Sequence, residues 1–145
     1  YTKAALREFN SIIKKYPNSK YAKESKLKID LINEQLAGKH MYLARFYMKK
    51  SKWVSAIKRL NIILNDYPET IYTIEALHRL VEIYYKLGNL SLAKRYAATL
   101  GYNFNDSDWY KKTYKVVVDK NYEEDTKVTK LKLKDKIKNI FNLSK

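Results

Sequence analysis

"IIKKYPNSKY" runs from Ile12 to Tyr21 and "IILNDYPETIY" from Ile62 to Tyr72, and between them they hold both prolines of the 145-residue chain. Each phrase has an Ile-Ile pair, then Tyr-Pro, a polar residue and Ser or Thr, with a further Tyr two residues on. A third copy without proline, "GYNFNDSDWY", runs from Gly101 to Tyr110, with Phe104 and Asn105 in the Tyr-Pro slots. Proline costs roughly 3 kcal/mol inside a helix and little at its boundary, so each phrase marks a helix end. Ser19, Thr70 and Ser107 follow where an N-cap hydroxyl would satisfy the first free amides of a new helix. The phrases are stop-and-restart signals in a helical chain.

Backward from each phrase the spacing repeats. Ala5, Ala56 and Ala93 each lie 12 residues before the proline slot, followed four residues later by Phe9, Leu60 and Ala97. A small residue there lets two helices of a hairpin approach closely. Further back stand His40-x2-Leu43-Ala44-x2-Tyr47 and Leu77-x2-Leu80-Val81-x2-Tyr84, with Gly88 five residues before Ala93. The pattern resembles tetratricopeptide (TPR) repeats, one helix–turn–helix unit per copy. We therefore expect an all-α fold of TPR-like hairpins forming a right-handed solenoid. Ala5 to Ala56 is 51 residues and Ala56 to Ala93 is 37, against 34 for the ordinary repeat. The excess predicts one overlong helix from Ser19 to Lys50, about 45 Å long and a candidate for a kink at Gly38.

The expected organisation is repeats over 1–118 and a basic tail over 119–145. The repeats divide into an incomplete first hairpin (1–17), a second (19–68), a third (70–104) and a terminal helix (106–118). The chain starts in mid-repeat, and a repeat cannot bury its face alone, so further repeats are expected before Tyr1. In the tail, Leu133, Ile137, Ile140 and Phe141 fall at helical spacing among lysines, which predicts a helix over 127–142 capping the solenoid. A basic amphipathic helix on a membrane or a partner is the alternative for the same residues.

Composition narrows the function. The chain has 46% hydrophobic residues, three glycines and no cysteine, which suits a helical core and excludes disulfides and cysteine metal sites. No apolar run approaches the roughly 20 residues of a membrane span. The formal charge of +15 comes from 25 lysines and only 5 arginines. Dedicated nucleic-acid binders lean on arginine for bidentate contacts, so a nucleic-acid partner is not expected. Attraction to acidic partners or anionic headgroups follows from the charge in any case. No catalytic or metal-binding pattern is present, and neither an enzyme nor a cofactor is expected. His40 occupies a core slot of the repeat, and Glu123, Glu124 and Asp125 lie in a lysine-rich connector where solvation is the simplest role.

What remains is surface. In a TPR stack the first helix of each hairpin lines a groove, and the offset from the core slots puts Met41, Arg45, Met48 and Lys49 there from one helix. The next helix contributes Glu75, His78, Glu82, Tyr85 and Lys86. Arg59 lies three residues after Ala56 and one before Leu60, on the flank of the buried stripe.

The order of elements is more particular than a TPR repeat. Tyr16 to Ser19, then a long helix with Tyr42, Ala44, Arg45, Phe46 and Tyr47, then Trp53-Val54 and Ala56, then Tyr67 to Thr70, resembles the BamD (ComL) family of outer-membrane protein assembly lipoproteins. The likeness covers about Ala4 to Val117 and includes the overlong helix. It implies the C-terminal part of a non-catalytic scaffold at the periplasmic side of the outer membrane, held by a lipid anchor upstream of this chain. The implied partners are the POTRA domains of BamA, the other lipoproteins of the assembly machinery and unfolded outer-membrane clients, these last mainly through the missing N-terminal half. Arginine stands in the family pattern where Arg59 stands here, which implies a partner-binding position at Arg59, with Trp53 and Lys58 beside it. A generic TPR adaptor for extended peptides is the competing function, and a basic nucleic-acid module a weaker one.

Overall fold

The computed structural model describes residues 2–118. They form six helices, α1 (Thr2–Lys15), α2 (Lys20–Lys49), α3 (Trp53–Asp66), α4 (Tyr72–Lys86), α5 (Leu90–Asn103) and α6 (Asp108–Val118), with no strand among the described residues. The tail helix expected over 127–142 and the cluster Glu123 to Asp125 lie outside the described residues. The described residues form two compact units, one up to Thr73 and one from Ile74 to Val118.

In the first unit α1 packs on α2 and α2 on α3. Pro17 stops α1, and the Ser19 hydroxyl joins the two helix ends, donating to the Tyr16 carbonyl (2.8 Å) and accepting from the Ala22 amide (3.1 Å). The 30-residue α2 runs unbroken through Gly38. That glycine serves close approach: a Cβ there would stand 3.0 Å from the Tyr72 hydroxyl. The buried residues of α2 shift around the helix along its length. Ala22 and Ser25 lie in its N-terminal half; Ala37, Met41 and Ala44 follow about 100° around the axis. The buried set of α3 is Ala56, Leu60 and Ile63, at i, i+4 and i+7. Between α2 and α3 the chain reverses through Ser51, whose φ of 54° is left-handed. The Ser51 amide donates to Met48 O and the Lys52 amide to Tyr47 O, both at 2.9 Å, a Schellman closure.

The second phrase ends differently from the first. Thr70, expected as an N-cap, instead donates its hydroxyl to the Tyr67 carbonyl (2.9 Å). The Ile71 amide is met at 3.0 Å by the carboxylate of Glu34, from the middle of α2. A distant carboxylate thus does for α4 what a local hydroxyl does for α2, and it ties the turn onto the long helix.

In the second unit α4 is buried around most of its circumference, with Ala76, Leu80, Val81 and Ile83 fully covered. Val81, Tyr85 and Ala93 form its centre, with Tyr84, Tyr96, Val116 and Val117 packed against them. The α4–α5 turn repeats the Ser51 closure with Gly88 at φ 73° and amides donating to Tyr85 O and Tyr84 O. Gly101 admits Tyr110, whose ring would lie 2.9 Å from a Cβ there. At the third phrase Ser107 donates to Phe104 O (2.7 Å) and accepts from the Tyr110 amide (3.1 Å), as Ser19 does at the first.

Candidate partner-docking surfaces

The α3 residues hold distinct positions. Trp53 is half-buried, Lys58 exposed and Arg59 half-buried. At 100° per residue, Trp53 and Arg59 flank the buried set on opposite sides, about 120° apart, while Lys58 points away from it. The structure therefore does not gather the three onto one spot. Arg59 shares its flank with Asp66, and both charges reach His40. Burial first, then the positive charges of Arg59 and Lys39, hold the His40 imidazole below its ordinary value, and Asp66 opposes them. The ring of His40 lies over Tyr67 with centroids 6.0 Å apart, and its Nδ1 is buried without a hydrogen-bond partner. His40, expected in a core slot, is only half-buried, with its Nδ1 turned inward on the Arg59 side of α3.

The expected groove residues divide. Arg45 and Lys49 are exposed and Met48 half-buried, but Met41 is fully buried with Ala37 and Ala44, so it belongs to the core rather than to an open face. In the second unit Glu75, His78 and Tyr85 are interior as well, at 4%, 3% and 1% exposure, and only Lys86 is exposed. The cause is α6. The Thr113 hydroxyl lies 2.9 Å from the Trp109 carbonyl and 2.7 Å from His78 Nδ1, so it joins α6 to the imidazole. Tyr85 donates to the Val117 carbonyl at 3.1 Å. The indole of Trp109 packs on His78, with Arg79 and Lys112 both over its ring. The sequence carried a signal for this cover in Trp109, Thr113 and Val117, each one turn apart.

Beneath α6 the charges close on one another. Arg79 Nε meets Glu75 at 3.2 Å and its NH1 meets Glu82 at 2.8 Å, while His78 Nε2 lies 3.5 Å from the other Glu82 oxygen. Burial would raise the Glu82 carboxyl, but hydrogen bonds from His78 and Arg79, and their charge, outweigh it and hold the group below its ordinary value. A depressed carboxylate contributes stability that is complete above its unfolded pKa and is lost as pH falls through the lower folded one. Glu82→Gln is therefore expected to lower stability near pH 7 and to flatten the loss of stability on acidification below about pH 4.5. Urea titrations at several pH values check this; equal pH slopes for both proteins would remove Glu82 from the linkage.

Among the described residues no group of His, Asp or Glu could hold a metal ion, and no helix is long and apolar enough to cross a membrane. These surfaces suit protein contacts. Residues 1–100 match the family described as "YfiO: Outer membrane lipoprotein". The chain is 48% identical over 115 residues to the "Outer membrane protein assembly factor BamD" of Rickettsia prowazekii, covering 79% of this chain and 45% of that protein. It is 42% identical over 118 residues to the protein of the same name from Caulobacter vibrioides, covering 81% of this chain and 39% of that one. A Xylella fastidiosa protein of that name is 32% identical over 107 residues, 74% of this chain and 37% of its own length. The chain thus spans less than half the length of these relatives.

Proposed function

From a chain that belongs to the YfiO family of outer membrane lipoproteins, we propose a non-catalytic scaffold of outer-membrane protein assembly that docks on the POTRA domains of BamA. The relatives' shared name, assembly factor, supports the first half of this proposal. The observation that carries the second is Arg59. It stands on the flank of α3, half-buried beside the packed Ala56 and Leu60, so part of the side chain remains within a partner's reach. A guanidinium so placed can take a partner carboxylate bidentately, which the point charge of lysine does not reproduce. Trp53 and Lys58 sit elsewhere around α3 and would meet other parts of a partner that wraps the helix. In the full-length protein we place the chain on the periplasmic side of the outer membrane, lipid-anchored, beside the other lipoproteins of the machinery and its unfolded clients.

The test is titration of a BamA POTRA fragment against wild type and Arg59→Glu at one salt concentration. The variant should keep its helicity and melting temperature and lose about 2 kcal/mol or more of binding, roughly 30-fold in Kd, because a like charge then faces the partner. The same substitution replaces a charge that lowers the His40 pKa, so that pKa should rise in the variant, which NMR titration reads independently of any partner. Equal POTRA affinities would remove Arg59 from the interface.

A further inference from the structure

Where the second Tyr-Pro turn meets α2, apolar side chains face solvent. Leu27 and Leu31, one turn apart on α2, are 69% and 59% exposed, and Ile71 is 72% exposed. The Glu34–Ile71 hydrogen bond holds Ile71 next to this stretch of α2. Single exposed apolar side chains are ordinary on a protein surface, but Leu27, Leu31 and Glu34 share one face of α2 by helical spacing, and Glu34, which also lines a cleft, holds the Ile71 backbone to that face. The cleft is about 300 Å³ and is formed by α2 and the Asp66–Thr70 turn. Its walls carry Asp30, Glu34, Asp66 and Glu69, four of the 15 acidic residues in a chain with 30 basic ones. One oxygen of Glu34 takes the Ile71 amide; the other, Oε2, is shut off from solvent and has no hydrogen-bond donor. A buried carboxylate oxygen without a donor is costly, and a cation seated among the exposed carboxylates of the cleft would offset that cost through its field without touching the oxygen.

We propose that this face docks a protein segment that carries an arginine or lysine beside apolar residues. The basic side chain enters the cleft between the four carboxylates, and the apolar residues cover Leu27, Leu31 and Ile71. Charge decides the occupant. An anionic bilayer would bring its headgroups against the same carboxylates, and a second copy would bring another +15 to a chain that already carries +15. The proposal does not depend on docking through Arg59.

The probe is a fluorescein-labelled 12-residue peptide alternating leucine and arginine, with a leucine–glutamate peptide as control, titrated against the whole chain by fluorescence anisotropy. Asp30, Asp66 and Glu69 are exposed, so Asp30→Asn/Asp66→Asn/Glu69→Gln should fold normally; Glu34 is kept for its bond to Ile71. The wild type should bind the arginine peptide and ignore the control. The triple variant and Leu27→Ser/Leu31→Ser should each lose at least 10-fold in affinity with unchanged circular dichroism. Unchanged affinity in either variant, or equal binding of the control, would overturn the proposal. So would a dimer in sedimentation velocity that Leu31→Ser abolishes, which assigns the face to a second copy. Co-sedimentation with phosphatidylglycerol vesicles that the Leu27/Leu31 variant loses would overturn it in favour of lipid. POTRA affinity should be untouched by Leu27→Ser/Leu31→Ser, which changes nothing on α3, so this proposal and the Arg59 contact fail separately.

Discussion

Leu60→Ala should lower the unfolding free energy by about 2–5 kcal/mol, the largest effect expected of any single substitution discussed. Leu60 is fully buried on α3, between Ala56 and Ile63 one turn to either side. The α2 stripe offers Ala37, Met41 and Ala44, also fully buried. Two alanines have no atoms to send into a cavity. Met41 has, and its flexibility would bring the cost toward the lower end of the range. Urea denaturation followed by circular dichroism measures the loss, with Leu27→Ala as the comparison, since surface changes stay within about 0.5 kcal/mol. A Leu60 variant as stable as the Leu27 one would mean that α3 does not pack as described.

Ala93→Leu tests the opposite error, overfilling, and should cost about 1–3 kcal/mol. Ala93 has no exposed surface and lies in the cluster with Val81 and Tyr85. Tyr85 cannot easily give way, because its hydroxyl is fixed to the Val117 carbonyl, and Tyr84 and Tyr96 stack nearby at 5.6 Å. Ala56→Leu should act the same way on α3, whereas Ala98→Leu, on the exposed side of α5, should not. Unchanged melting temperatures for Ala56→Leu and Ala93→Leu would mean that the 12-residue spacing reports something other than close helix approach.

Residues whose role is local were legible in the sequence. Pro17 and Pro68 act through their own rings, Ser19 and Ser107 bond groups within three residues, and Ala56 and Ala93 matter because they are small. The long α2 was legible because nothing between Tyr21 and Lys49 could stop it. Residues whose role depends on another helix were not. Thr70 looks like a cap, but Glu34, 37 positions away from Ile71, takes that role. Gly38 looks like a kink and is a seat for Tyr72. The groove expectation placed His78, Glu75 and Tyr85 on a face left open; all three are buried, and α6 covers His78 and Tyr85 through Thr113 and Val117. A helical period shows which side of a helix is polar; it does not show whether a later helix brings matching polar groups to bury it.

Helix α2 belongs to two hairpins at once, packing α1 against one stretch and α3 against another about 100° around its axis. Two hairpins joined by a loop can hinge; two that share a single rod cannot. α1 and α3 are thus linked through one continuous helix and not through a loop, and the turn before α4, bonded to Glu34 halfway along, is tied to the same shaft. In mechanical terms the first unit is a crankshaft, with α1 and α3 as throws set at a fixed angle on one axle. Pulling on such a body changes its orientation before it changes its shape.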